Sequence, residues 1–122
     1  MTTILLVEDQ WELCAINAAY LQQHGYRVLT AGDGNSALST ARRERPDVIV
    51  LDHSLPNRTG IEVTRVLRAE TRTADIPIVM LTAHAYGAIG HRARSAGCDA
   101  FLAKPCAPSR LLLEVHRFAP AD

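Results

Sequence analysis

Apolar, β-branched runs recur at even intervals along the chain: Ile4–Val7, Arg27–Ala31, Val48–Leu51, Ile76–Leu81 and Ala100–Ala103. Four of them are short and continuously apolar, the pattern of strands buried on both faces of a parallel sheet. Arg27–Ala31 has polar ends, as an edge strand would. The intervening segments carry apolar residues at helical spacing. Gln10–His24 contributes Leu13, Ile16, Tyr20 and Leu21, with Gly25 as a stop. Asn35–Arg43 contributes Ala37, Leu38 and Ala41, and Gly60–Ala69 contributes Val63, Val66 and Leu67. Leu111–Phe118 supplies Leu111, Leu112, Val115 and Phe118, behind Ala107 as N-cap and Pro108 at the first helical position. Ala is a poor cap. Ala85–Ala96 is a weaker helix, because Gly87 and Gly90 each lower helix stability by roughly 0.8–1 kcal/mol against Ala. Its looseness suggests a segment that moves, although the glycines also fit a loop before a shorter helix. Five β–α units predict an α/β fold, a doubly wound five-stranded parallel sheet with helices on both faces.

The chain has 122 residues, room for one domain spanning 1–122. Thirteen basic residues balance thirteen acidic ones, which argues against chain-wide electrostatic binding of nucleic acid or an anionic membrane surface. A hydrophobic content of 48% supports a real core and argues against disorder. No apolar stretch is long enough to cross a bilayer. Met1-Thr2-Thr3 has no basic start, so a secretory signal is not expected and the cytoplasm is. Cys14, Cys98 and Cys106 match no zinc spacing and read as free thiols in a reducing compartment.

In open parallel sheets ligands bind beyond the carboxyl ends of the strands. Glu8-Asp9 follow the first run, Asp52 ends the third, Thr82-Ala83 end the fourth, and Lys104-Pro105 follow the fifth. If the first and third strands are neighbours, three carboxylates converge. Two unit charges about 5 Å apart repel by roughly 3 kcal/mol at an effective dielectric near 20, so such a cluster calls for a cation. An all-oxygen set suits a hard divalent ion that keeps several waters, Mg²⁺ first and Mn²⁺ as an alternative. Glu8 and Asp9 also fit the start of a helix, where acidic side chains favour the dipole. That reading leaves unexplained why Asp52 closes a run of four apolar residues. Twelve of the thirteen basic residues are Arg, which makes the single Lys104 informative: a compact ammonium suits one phosphoryl or carboxylate oxygen. Thr82 is by itself an ordinary strand residue, and its place between Asp52 and Lys104 gives it weight.

These residues together resemble a response-regulator receiver domain of two-component signalling. The resemblance runs from Ile4 to about Phe118. It rests on Glu8-Asp9, on Leu51-Asp52-His53-Ser54-Leu55-Pro56 with Gly60 following, on Thr82-Ala83, and on Phe101-Leu102-Ala103-Lys104-Pro105. It implies a flavodoxin-like (βα)5 fold with strand order 2-1-3-4-5, as the chemotaxis regulator of the family has. It implies that Asp52 accepts a phosphoryl group from a histidine kinase or histidine phosphotransfer protein. Mg²⁺ would be held by Asp9, Asp52 and the Ser54 backbone carbonyl, with Glu8 acting through bound water. Thr82, Ala83 and Lys104 would meet the phosphoryl group. Phe101 would be the aromatic that swings inward, repacking the fourth-helix, fifth-strand and fifth-helix face on which a downstream protein docks. Phe101 lacks a hydroxyl and would couple by packing alone, and it equally fits a plain strand residue.

Ser54 and His84, two residues after Asp52 and Thr82, lie where the resemblance implies tuning of phosphoryl lifetime, although His84 also fits a solvent-facing position. Cys106 stands where the family usually has a bulkier apolar residue. The expected protein is a phosphorylation-controlled module, not a turnover enzyme. It would be a monomer or a phosphorylation-dependent dimer, with no output domain and no direct contact with nucleic acid or membrane. Three alternatives are a receiver-like scaffold that is never phosphorylated, a small aspartyl-phosphate phosphatase, and a flavodoxin-type nucleotide binder. The phosphatase would want a carboxylate where Ser54 stands. The nucleotide binder would want a phosphate-cradling turn where Glu8-Asp9-Gln10-Trp11 stands.

Overall fold

The structure, a computed structural model, describes residues 1–83 and 87–120. Strands β1 (Thr3–Val7), β2 (Arg27–Ala31), β3 (Val48–Asp52), β4 (Ile78–Thr82) and β5 (Ala100–Ala103) alternate with helices α1 (Trp11–Gln23), α2 (Gly34–Glu44), α3 (Gly60–Ala69), α4 (Ala88–Ala96) and α5 (Pro108–Phe118). All strand pairs are parallel and the sheet order is β2-β1-β3-β4-β5. The doubly wound α/β architecture is as the alternation predicts.

Side chains alternate across each strand, and this divides the core in two. Leu5, Val7, Ile49, Leu51, Ile78 and Met80 face α2, α3 and α4. Ile4, Leu6, Val48, Val50, Val79, Leu81 and Leu102 face α1 and α5. The edge strand β2 is only half-buried, whereas every residue of β3 and β4 is buried.

Three element-level expectations need correction. β4 begins at Ile78, because Ile76 and Pro77 belong to the preceding turn that Arg68 holds through Nη1, at 3.0 Å from the Ala74 carbonyl and 2.7 Å from that of Ile76. α4 begins at Ala88 behind Gly87, whose φ of 82° is not that of a helical residue; Ala85 lies outside the described residues. α5 begins at Pro108 with Ala107 as its N-cap, as the sequence indicates, and that cap makes no side-chain hydrogen bond. On α1, the residues turned inward are Cys14, Asn17, Ala18 and Leu21, while Ile16 is 58% and Trp11 76% exposed. The small residues let α1 sit close to the sheet, so the large apolar residues on either side of that seam are not all in the core.

Candidate functional site

The register brings the site together. Val7 pairs with Leu51, so the next residues on these adjacent strands, Glu8 and Asp52, emerge side by side. Both continue the α1/α5 parity of their strands, and Lys104, two residues beyond Leu102, does the same. Thr82 pairs with Ala103 and continues the opposite parity, that of Ile78 and Met80. Alternation thus gathers Glu8, Asp52 and Lys104 on one side of the sheet's end, with Thr82 on the other.

Glu8 and Asp52 are each 3% exposed, and Asp9 beside them is exposed. One carboxylate oxygen from each lies within 4.8 Å of the others. Lys104 Nζ donates to Glu8 Oε1 at 2.9 Å and to Asp52 Oδ2 at 3.1 Å. The other Asp52 oxygen, Oδ1, accepts from the Ser54 amide at 3.3 Å, and Glu8 Oε2 accepts from the Gln10 amide at 3.3 Å. The two Asp52 oxygens are therefore distinguished, one turned to the ammonium and one to the loop. Burial acts to lower the Lys104 pKa, but the hydrogen bonds and charges of Glu8 and Asp52 outweigh it and hold the ammonium above the ordinary lysine value. The Lys104–Pro105 peptide is cis.

The loop from Asp52 to α3 is fixed from several sides. The Gly60 amide donates to the His53 carbonyl at 2.8 Å, and the His53 amide donates to the Leu81 carbonyl at 2.9 Å. A Cβ at Gly60 would stand 2.8 Å from the Asp52 carbonyl oxygen and 2.9 Å from His53 Cα. Thr59 and Glu62 close a reciprocal capping box at the start of α3. Arg58 and Asn57 reach across to Asn35, at 2.9 Å each, tying this loop to the start of α2. Phe101 is half-buried against the α2–α4 core, with the Arg94 guanidinium 4.4 Å above its ring.

The expected acids and Lys104 are thus together. Thr82 is buried one residue beyond the β4 partner of Asp52, Ala83 is exposed beside it, and the Ser54 side chain is exposed. His84 lies outside the described residues. Sequence reasoning assigned no role to the close approach at Gly60 or to Asn35 as a loop anchor. The Leu55–Gly60 spacing carries a hint of the first, and nothing local signals the second. The cysteines are free thiols, and burial raises the pKa of each, which disfavours the reactive thiolate. Among the described residues no helix is long and apolar enough to cross a membrane.

A 2-1-3-4-5 parallel sheet ending in an acidic cup bridged by a lysine defines the chemotaxis-regulator class of signalling domains, in which such a cup fits the phosphorylation site. The model of the response regulator receiver domain matches residues 4–116, and the chain belongs to that family: it is a receiver domain of a two-component system. It is 37% identical over 116 residues to the probable transcriptional regulatory protein TcrX of Mycobacterium tuberculosis, covering 93% of this chain and 48% of that protein. The chain spans about half the length of this and similar transcriptional regulators. The chemotaxis protein CheY4 of Vibrio cholerae superposes with a TM-score of 0.91 at 33% identity, covering 97% of this chain and 98% of that one. The receiver domain of the sensor histidine kinase PA1611 from Pseudomonas aeruginosa, with a magnesium ion coordinated in its active-site cleft, superposes with a TM-score of 0.88 at 36% identity over 96% of each chain.

Proposed function

We propose that Asp52 is the phosphoacceptor and that the chain works as a single, phosphorylation-controlled binding domain over residues 1–122. The observation that carries this reading is Asp52 itself, a carboxylate sealed at the end of a wholly apolar strand, with one oxygen on Lys104 and the other on the Ser54 amide. The donor is a phosphohistidine on a histidine kinase or phosphotransfer protein. An Asp52 oxygen forms a bond to phosphorus as the phosphorus–nitrogen bond breaks, and the imidazole leaves with the nitrogen's electron pair.

The donor set fits a hard cation: three clustered carboxylates, no nitrogen or sulfur ligand among them, and an exposed Asp9 on the open side. Asp9, Asp52 and the Ser54 carbonyl would hold Mg²⁺, with Mn²⁺ as a substitute and Glu8 contributing through water. When bound, the ion supplies charge neutralisation for the carboxylates and the incoming phosphoryl oxygens. Lys104 holds Asp52 in place beforehand and then meets an oxygen of the group attached there. The Thr82 hydroxyl and the Ala83 backbone take the remaining phosphoryl oxygens. Phosphorylation adds about −1.5 to −2 charges, to which Thr82 and Phe101 respond, altering the α4–β5–α5 face for a downstream protein. Ser54 and His84 govern water access and hence phosphoryl lifetime.

Incubation with acetyl phosphate, with and without Mg²⁺, tests this by intact mass. One phosphoryl adduct is expected on the unaltered chain, dependent on Mg²⁺ and absent from Asp52→Asn. An equal adduct on Asp52→Asn places the acceptor elsewhere.

A further inference from the structure

Asn17 stands on the inward face of α1, where Cys14, Ala18 and Leu21 are its buried neighbours. It is 4% exposed, and among the described residues its Oδ1 is the buried side-chain polar atom with no hydrogen-bond partner. A buried acceptor left unmade is destabilising, and native structures rarely keep one without a reason. Asn17 lines a groove of about 390 Å³ between α1 and α5, within the range of small-molecule sites. Leu13, Leu81 and Leu111 form apolar walls, and Ala83 and Lys104, the latter bound to the acidic cup, also line it. Leu81 and Leu111 are core residues, so the groove reaches the interior. The Lys104 ammonium is already engaged by Glu8 and Asp52, which leaves the Asn17 amide as the deep polar group awaiting a partner. Oδ1 is itself fully buried, so it meets a donor seated in the groove only once the amide turns about its soft χ2 torsion.

We propose that this α1–α5 groove is a binding site for a small, uncharged aromatic ligand carrying one hydrogen-bond donor, with the donor directed to Asn17 Oδ1. The apolar walls take the ring. Two carboxylates against one ammonium, Glu8 and Asp52 on Lys104, leave a net negative charge beside the groove that disfavours an anionic ligand. Because Lys104 is shared between groove and cup, an occupant rests directly on the wall of the proposed acceptor site.

Indole supplies a ring and one N–H donor; 1-methylindole keeps the ring and removes the donor. In ¹⁵N-resolved NMR titrations of the whole chain, indole should shift the amides of Leu13, Asn17, Leu81 and Lys104 saturably and bind about fivefold more tightly than 1-methylindole, the equivalent of one ordinary hydrogen bond. In Asn17→Leu that preference should vanish. Equal binding of the two probes by the unaltered chain overturns the role of Asn17, and this comparison holds whether or not the variant folds. Absence of saturable shifts at these residues overturns the site. Neither measurement involves phosphorylation, so the phosphoacceptor reading stands or falls separately.

Discussion

Gly60 has no room for a side chain, since the first carbon of one would press on the Asp52 carbonyl and on His53 Cα. Both are backbone atoms of the segment that presents the acceptor, and neither can swing aside as a side-chain tip would. Gly60→Ala should therefore cost about 1–3 kcal/mol through overpacking, lowering the thermal midpoint by roughly 4 °C per kcal/mol. A calorimetric midpoint unchanged from the unaltered chain would show that the loop relaxes freely. Residue-scale chemistry was unevenly legible in the sequence. Lys104 stood out because it is the only lysine, and Asp52 because it closes an apolar run. Asn17 was silent, since a polar residue inside an amphipathic pattern reads as solvent-facing, and Ile16 misled in the opposite sense. Both errors share a cause: the small residues Cys14 and Ala18 set the face of α1, and apolar spacing alone gives them no weight.

The five helices differ in what secures them. α3 has a complete capping box and buries Ile61, Val63, Thr64 and Leu67. α4 has nine residues, no side-chain cap, and buries only Gly90, Ala93 and Ala96. A missing cap and an interior glycine cost about 1 kcal/mol each. Amide exchange in residues 88–96, read by hydrogen–deuterium exchange, should accordingly run at least tenfold faster than in α3, and faster than in α1, which shares the missing side-chain cap but has no interior glycine. Protection equal to that of α1 would remove α4 as the loosest helix. Arg94, lying over Phe101, connects this helix to β5 by a contact worth about 0.5–1 kcal/mol at an exposed site, so the two should shift together. Strands and helices were readable from periodicity, including the weak edge β2. The start of α4 was not, because the positive φ of Gly87 is a backbone property that apolar spacing does not report.

Across the whole molecule, the ionisable groups set a broad stability plateau. Hydrogen bonds from Ser36 to Asp33, from Thr59 to Glu62 and from Arg42 to Glu70 lower those three carboxyl pKa values. Their contribution is present above the ordinary carboxyl value near about 4 and is lost as pH falls through the lowered values. The net raised pKa of Lys104 works at the other end. Its contribution is complete below the ordinary lysine value of about 10.4 and fades as pH rises through the elevated one. The thermal midpoint should thus stay level across the neutral range, with a shallow acid arm because those three carboxylates are exposed. Lys104→Met should flatten the alkaline arm. An alkaline arm identical in that variant would assign it to other groups. The sheet order followed from resemblance and not from the residues, since alternation fixes a doubly wound sheet without fixing which strands are neighbours.

Three formal negative charges against one positive leave the end of the sheet two short of neutrality. A singly charged ion halves that shortfall and a doubly charged one closes it. On the proposed reading, a phosphorylated donor approaching an unloaded domain meets net repulsion, whereas one approaching a loaded domain does not. A divalent ion held by Asp9 and Asp52 would remove that repulsion, whereas a single sodium or potassium ion would remove only half of it.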